Sequence, residues 1–321
     1  MSTRHTLTAL SLVVLGLSSG TAEAADTLRK APEWRLGLTS LTVLRYNPLG
    51  LEEQLRIGVQ KRLYEDEAPA YRDNFVFFGL APKINPAFVK LGPSIEVQPV
   101  SFFNLRIGVE WVRYFGTFGY LQSFESAHDD YSDRRIKALR EDTVDGKPND
   151  LKSYGGGGFH FIVEPLLQLK FGPVAFRGKV ACEYWSMDLR EGDRAFYDPT
   201  LDTAVPRTGW VFTLDADVLW VSEFGLLAGV RYSMVAPLYD KRAVRDGESI
   251  EIPENTHHRL GPFVGYTFFD RGAVGFNKPT LLLIVNWYMK HRWRTGGDPD
   301  VPGGAALPYI VLAFRFESDW L

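Results

Sequence analysis

The residues of greatest chemical interest in this chain are charged side chains at every second position of apolar segments. In the segment 103–111, for example, Arg106 and Glu110 alternate with Ile107 and Val109. A period of two places successive side chains on opposite faces of a β-strand. Charged groups on one face can select a solute by its charge, or they can pair with one another.

The charged face of the predicted strands carries more basic than acidic residues. It consists of Arg56, Arg62, Lys90, Arg106, Lys170, Arg177, Lys179, Arg231, Arg259 and Lys290, with Glu96, Glu110, Glu164, Glu183, Asp215 and Asp217. This excess predicts a lining that favours anions, although the whole chain has a net charge of −3. In the alternative interpretation, these groups merely pair across a filled interior.

Two stretches with histidine are the candidates for catalysis. His128 stands beside Asp129 and Asp130, and His257 stands beside His258. Neither stretch has a serine or an acid at a spacing that matches a known hydrolase. We therefore predict no catalytic residue.

Metal, cofactor and nucleic-acid sites have equally weak support. Asp129, Asp130 and Asp133 offer the oxygen ligands that Ca²⁺ takes, but the glycine and the final glutamate of a calcium loop are missing. The glycines at 155–158 lack the lysine of a phosphate-binding loop. We predict no metal and no cofactor, and the near-neutral charge gives no reason to expect nucleic acid as a partner.

The N-terminus has the three regions of a secretory signal peptide. Arg4 and His5 precede the apolar run Leu7–Leu17, and the small residues Ala22 and Ala24 follow. This pattern predicts a signal peptide over residues 1–24. The run is too short for a spanning helix, which needs about 20 residues, and no later apolar run approaches that length.

The alternation predicts twelve β-strands, with a short helix around 133–141. The strands are expected at 33–46, 54–62, 74–82, 87–98, 103–111, 159–170, 174–184, 210–220, 226–234, 259–268, 280–290 and 309–316. From the fourth strand onward short and long connections alternate, with long loops at about 122–157, 190–207, 240–256 and 295–307. Since the connections of the first four strands do not alternate cleanly, ten or fourteen strands are also compatible with the pattern.

Aromatic residues stand near both ends of the apolar faces. Trp210 and Trp220 share one face, and ten residues of tilted strand span about 25 Å along a membrane normal. That is the separation of the two aromatic girdles of a membrane barrel, for which the candidates are Trp111, Trp210, Trp220, Tyr232, Tyr266 and Trp287. Phe314 and Phe316 lie on the apolar face of the last strand. In these features the chain resembles a bacterial outer-membrane β-barrel.

The resemblance implies one all-β domain over residues 25–321, an antiparallel up-and-down transmembrane barrel with long extracellular loops. Its partners would be outer-membrane lipid and, during biogenesis, the barrel-assembly machinery. We expect a narrow channel for small anionic or polar solutes. A surface-exposed structural barrel with an occluded lumen, an outer-membrane hydrolase and a soluble periplasmic all-β protein are the alternatives. The loop 122–157 is large enough to fold into the lumen or to lie outside it.

Overall fold

The computed structural model describes residues 33–141, 143–144, 147–271, 275–296 and 306–320, so the predicted signal peptide lies outside the described residues. Twelve antiparallel strands follow one another along the chain. They are β1 (Trp34–Tyr46), β2 (Gly50–Lys61), β3 (Phe75–Leu80 and Lys83–Ile84), β4 (Phe88–Leu91 and Pro93–Val100), β5 (Phe103–Phe115), β6 (Gly155–Phe171), β7 (Val174–Met187), β8 (Thr208–Val221), β9 (Leu226–Leu238), β10 (His257–Thr267), β11 (Gly275–Lys290) and β12 (Tyr309–Asp319).

The sheet closes on itself, because β1 pairs with β2 on one side and with β12 on the other. In the closing ladder, Gly37 lies opposite Asp319 and Tyr46 lies opposite Ile310. Closure leaves no edge strand with unpaired backbone groups, as a sheet in lipid requires. The predicted antiparallel up-and-down barrel of twelve strands is thereby confirmed.

The apolar faces of the strands form the outside of the cylinder. Trp210 and Trp220 are 41% and 44% exposed, whereas Val211, between them in the sequence, is 1% exposed and points inward. A soluble sandwich would bury the stripe through Trp210, Leu214 and Trp220 between two sheets. Here that stripe is part of an apolar outer surface, which suits a hydrocarbon environment and is unfavourable in water.

The two ends of the barrel differ. The connections 116–154, 188–207, 239–256 and 291–308 leave from one end, which we call the loop end. The connections 101–102, 172–173 and 222–225 lie at the opposite end, which we call the turn end. Near β1 to β4 the lengths are reversed, because the short turn 47–49 is at the loop end and the longer connection 62–74 is at the turn end. This reversal explains why the first connections did not alternate as expected.

The long connections at the loop end contain short elements of their own. They are the strands Ser123–Phe124, Ala195–Asp198 and Thr203–Pro206, the pair Thr143–Val144 and Lys147–Pro148, and the helix α1 (Asp133–Ala138). Ser132 caps α1 by accepting a hydrogen bond from the backbone N–H of Arg135. None of the helices in the described ranges is both long and apolar enough to cross a membrane.

Candidate functional site

A β-hairpin fills the loop-end half of the lumen. It comprises residues 195–206, which we call the hairpin plug, and its two strands pair from Ala195 opposite Pro206 to Asp198 opposite Thr203. Every residue of the plug is buried except Thr200 at its tip, which faces a cavity in the middle of the barrel. The interior below the loop end is therefore occupied by protein rather than open.

The tip of the plug is a turn that its own sequence specifies. The Asp198 carboxylate accepts the backbone N–H groups of Thr200 and Leu201 at 2.7 and 2.9 Å, and the N–H of Asp202 donates to the carbonyl of Asp198 at 2.8 Å. Asp202 has a positive φ of 53°, a conformation that Asp and Asn adopt more readily than most residues. An aspartate at each end of the turn thus closes the hairpin.

The same two aspartates attach the plug to the barrel. Asp198 is fully buried, accepts a hydrogen bond from Tyr114 of β5 at 3.1 Å and lies 3.6 Å from the ammonium of Lys90 in β4. Two adjacent strands of the barrel, β4 and β5, therefore hold one side of the tip.

Asp202 holds the opposite side. It accepts hydrogen bonds from Arg294 Nε at 2.6 Å, Arg294 Nη2 at 2.9 Å, Tyr288 Oη at 2.6 Å and Tyr197 Oη at 2.8 Å. Burial opposes ionisation of this carboxyl, but Arg294 and His291 outweigh burial and hold the pKa of Asp202 well below its ordinary value. The plug is thus held on one side by the Asp202–Arg294 ion pair and on the other by the contacts of Asp198.

The other long connections cover the plug. Ser123–Phe124 extends the hairpin sheet next to Ala195–Phe196. Arg245 binds both carboxylate oxygens of Asp129 at 2.7 and 2.8 Å and so joins two loops. The sequence left open whether the loop 122–157 enters the lumen; in the structure the inserted hairpin belongs to 190–207, and the described part of 122–157 packs over it.

Most of the predicted lumen charges lie inside the barrel in ion pairs. Arg231 binds Asp217 through two nitrogens at 2.7 and 2.8 Å, and Arg177 reaches the same carboxylate at 3.0 Å. The other pairs are Arg56 with Glu96, Arg106 with Glu164, Lys179 with Glu164 and Asp215, and Lys90 with Asp198 of the plug. Arg62 pairs with Glu65 in the connection after β2. Pairing along the wall between nearby strands therefore accounts for most of these groups.

A buried histidine joins two of the predicted acids. Nδ1 of His160 is 2.8 Å from Glu110, and its Nε2 is 2.9 Å from Glu183. Lys83 contacts the second oxygen of Glu110 at 2.8 Å, and the ring of Trp185 stacks on His160 with 4.2 Å between centroids. His160 and Lys83 were not among the predicted lumen residues, although His160 has the parity of the charged face of β6.

Three predicted basic residues have other surroundings. Lys170 lies on the inward side of β6 near the turn end. Lys290 lies beyond a register shift that sets it opposite His258 at the loop end, where its ammonium donates to the carbonyl of Pro253 at 2.5 Å. Arg259 is buried in the middle of the barrel, and among the described residues no carboxylate lies within ion-pair distance of it.

Below the plug lies a cavity of about 460 Å³, which we call the central cavity. Thr200 of the plug forms part of its roof. Six basic and three acidic residues line it, namely Arg45, Arg177, Lys179, Arg231, Arg259 and Arg315 with Glu52, Asp215 and Asp217. The lining thus keeps a positive excess after the pairs are counted.

Two further cavities adjoin the central one. A turn-end vestibule of about 620 Å³ shares Leu166 and Arg315 with it, and a loop-end pocket, also about 620 Å³, shares Arg45. The loop-end pocket lies beside the tips of β1 and β2 and includes Pro199 of the plug. The three spaces therefore follow one another from the turn end to the loop end, and the outer two each share lining residues with the central one.

The histidines considered for catalysis have structural surroundings. His128 contacts the carbonyl of Ser249 at 2.8 Å, and His257 contacts the carbonyl of Leu201 at 2.7 Å. His258 faces outward and is hydrogen-bonded to Tyr232 at 2.6 Å. Within the described ranges, no serine hydroxyl is hydrogen-bonded to a histidine ring, and no group of three or more His, Cys, Asp or Glu could hold a metal ion.

The predicted girdle residues all point outward but lie at different heights. Trp111, Trp210 and Trp287 are near the loop end, and Trp220 and Tyr266 are near the turn end. Tyr232 pairs with Ala216, midway between Trp210 and Trp220, and so lies in the middle of the apolar belt rather than at its rim.

Comparison with known proteins yields only distant structural similarity. No family model and no curated protein matches the chain. The NanC porin aligns at 9% identity and a TM-score of 0.37, covering 88% of this chain and 100% of that one. Omp33 of Acinetobacter baumannii aligns at 7% and 0.35, with 90% and 99% covered. The translocator domain of the autotransporter NalP from Neisseria meningitidis aligns at 10% and 0.33, with 91% and 90% covered. Likenesses this distant carry no information on a solute.

Proposed function

We propose that the chain is an outer-membrane channel for small anionic or polar solutes, which the hairpin plug holds closed. The observation that carries this proposal is the central cavity with its charged lining, which lies between two further cavities and below a separate, buried hairpin that occupies the lumen. A barrel that served only as a shell would not need a charged cavity of about 460 Å³ below its plug.

The location rests on the surface of the barrel. An apolar belt with outward tryptophans near both ends matches the hydrocarbon thickness and the interfaces of a bilayer. Outer-membrane lipid and, during biogenesis, the assembly machinery are therefore the proposed partners. The predicted signal peptide would direct export.

The preference for anions rests on the lining of the central cavity, in which basic residues outnumber acidic ones by six to three. Rings of one charge favour the opposite ion in a narrow path. The same excess would be unfavourable for cations, which would meet Arg259 in the central cavity and Arg45 and Arg315 where the other cavities adjoin it.

Recording from purified protein in planar bilayers tests this function. The wild-type barrel is expected to conduct little, and replacing residues 195–206 with a short Gly/Ser linker is expected to raise the conductance. The reversal potential in a salt gradient should then show anion preference. A control changes Asp246 to Ser, since the Asp246 side chain is 98% exposed and does not contact the plug. Cation preference, or an unchanged conductance without the plug, would contradict the proposal.

A structural barrel with an occluded lumen is the second candidate. The burial of the plug and the ion pairs at its tip favour it, because both stabilise a closed interior. The same recordings separate the two candidates: a structural barrel would conduct neither with the plug nor without it.

A further inference from the structure

The central cavity has two chemically different walls. On β10, β11 and β12 its surface is apolar and is formed by Phe263, Leu282, Ile284 and Val311 among others. On β7, β8 and β9 its surface is charged, but there the basic groups are tied to Asp215 and Asp217. A ligand in this space would therefore meet an apolar wall on one side and neutralised ion pairs on the other.

At the loop-end edge of the apolar wall lies a guanidinium without a partner. Arg259 is 7% exposed, and its Nε and Nη1 have no hydrogen-bond partner among the described residues. The group lies 4.1 Å from the ring centroid of Tyr309, which holds one face of it but satisfies none of its N–H donors. Burying a guanidinium whose N–H groups have no acceptor is unfavourable unless an anion binds to it.

Two neighbours share this edge, and Arg45 also lacks an acceptor for one of its N–H groups. Arg45 is 5% exposed, its Nε has no partner, and its only ion-pair contact among the described residues is Glu52 at 3.8 Å. The side-chain oxygen of Asn286 is also buried without a partner. The ladders place these residues together, since Arg45 lies opposite Val311 and Asn286 lies opposite Tyr309.

We infer that the central cavity binds a carboxylate with an apolar body, its carboxylate on Arg259 and Arg45 and its body on the apolar wall. This rests on the proposed function, because it names the solute class of the channel. The planar fork of a guanidinium matches a carboxylate. The cavity of about 460 Å³ lies within the usual range of small-molecule pockets, about 300–1,000 Å³.

Binding of benzoate to the full-length protein in detergent micelles, measured by calorimetry, tests the inference. The Arg259→Gln variant is expected to weaken benzoate binding by about tenfold or more. Arg177→Gln is the matched control, because it removes the same charge from the same cavity while Arg231 still binds Asp217 at 2.7 and 2.8 Å. The control is expected to change the affinity by less than about threefold, as for a charge that is already paired.

Two other ligands and one other variant complete the design. Benzamide keeps the body without the charge, and acetate keeps the charge without the body; each is expected to bind about tenfold more weakly than benzoate. Arg259→Lys keeps the buried charge and loses the fork, so it should still bind benzoate more weakly than the wild type.

Three results would overturn the inference: no benzoate binding to the wild type, equal losses in the Arg259 and Arg177 variants, or benzamide binding as tightly as benzoate. Binding in micelles does not require conduction. A barrel that binds benzoate but passes no current even after replacement of residues 195–206 would therefore refute the channel and leave the site in place. A conducting barrel without benzoate binding would refute the site alone.

Discussion

The Asp202→Asn substitution is expected to release the hairpin plug, because one carboxylate carries most of the polar contacts at its tip. Asn keeps the shape of the side chain and one acceptor oxygen but loses the charge. Arg294 is 4% exposed, and among the described residues it would then keep Asp133 as its one charged partner, at 2.9 and 3.1 Å. The substitution therefore separates the charge of Asp202 from the packing of the hairpin.

The size of the effect follows from the burial of the pair. Removing one partner of a buried ion pair typically costs about 3–5 kcal/mol, since the other charge stays behind. Asp133 is half exposed and compensates in part, so we expect the lower end of that range. About 3 kcal/mol corresponds to a shift of about 100-fold in the equilibrium between the inserted and the released plug.

Single-channel recording measures this shift as the open probability at neutral pH. Hydrogen exchange provides a second measurement, because the N–H of Tyr197, which now donates to the carbonyl of Gln122, should exchange faster while the barrel strands keep their protection. Asp246→Asn is the control, since its ion pair with Arg194 is exposed and should contribute little. Unchanged opening and unchanged exchange in Asp202→Asn would refute the assignment of the plug.

Three further results are expected. The ionised Asp202 should stabilise the inserted plug fully above the ordinary pKa of about 4. This stabilisation should be lost only as the pH falls through the lowered pKa of Asp202. The open probability should therefore be constant between about pH 8 and 5 and should rise in stronger acid. Leu214→Arg, in the middle of the apolar belt, should lower the free energy of unfolding in vesicles by about 2–4 kcal/mol. Val174→Arg, level with Trp220 at the turn end, should lower it by about 0–1 kcal/mol. Equal losses would contradict this position of the belt. Glu110→Gln leaves the ammonium of Lys83 without its carboxylate and should cost about 3–5 kcal/mol in denaturant unfolding, whereas a loss below about 1 would contradict the buried pair.

The barrel could be predicted because its signal is local and repeated. In β8, apolar residues from Trp210 to Trp220 alternate with Asp215 and Asp217, and that pattern defines both the strand and its two faces without reference to the rest of the chain. The turn that joins β6 to β7, at Gly172, is equally local. Closure then follows from the number of such strands and from the need to pair every edge in lipid.

The hairpin plug could not be predicted in the same way. Its strands are four residues each, and a run such as Ala195–Asp198 is too short to distinguish from an ordinary loop, although Asp198 and the proline after it do signal a turn. The plug is held by Arg294, which lies 92 positions after Asp202, and by Lys90, which belongs to a strand much earlier in the sequence than the plug. No spacing in the sequence indicates such contacts.

The sequence predicted the charged lining of the lumen but not its apolar wall. In the segment 281–285 both faces of β11 are apolar, so alternation alone does not show that Leu282 and Ile284 point inward while Leu281 and Leu283 point outward. An interior that had only to be filled could extend this wall across the position of Arg259, since buried ion pairs are often no more stabilising than apolar contacts. The chain instead places a cation without a carboxylate at the edge of the wall, next to a cavity. That arrangement is unfavourable for an empty barrel and favourable for one that binds an anion with an apolar body.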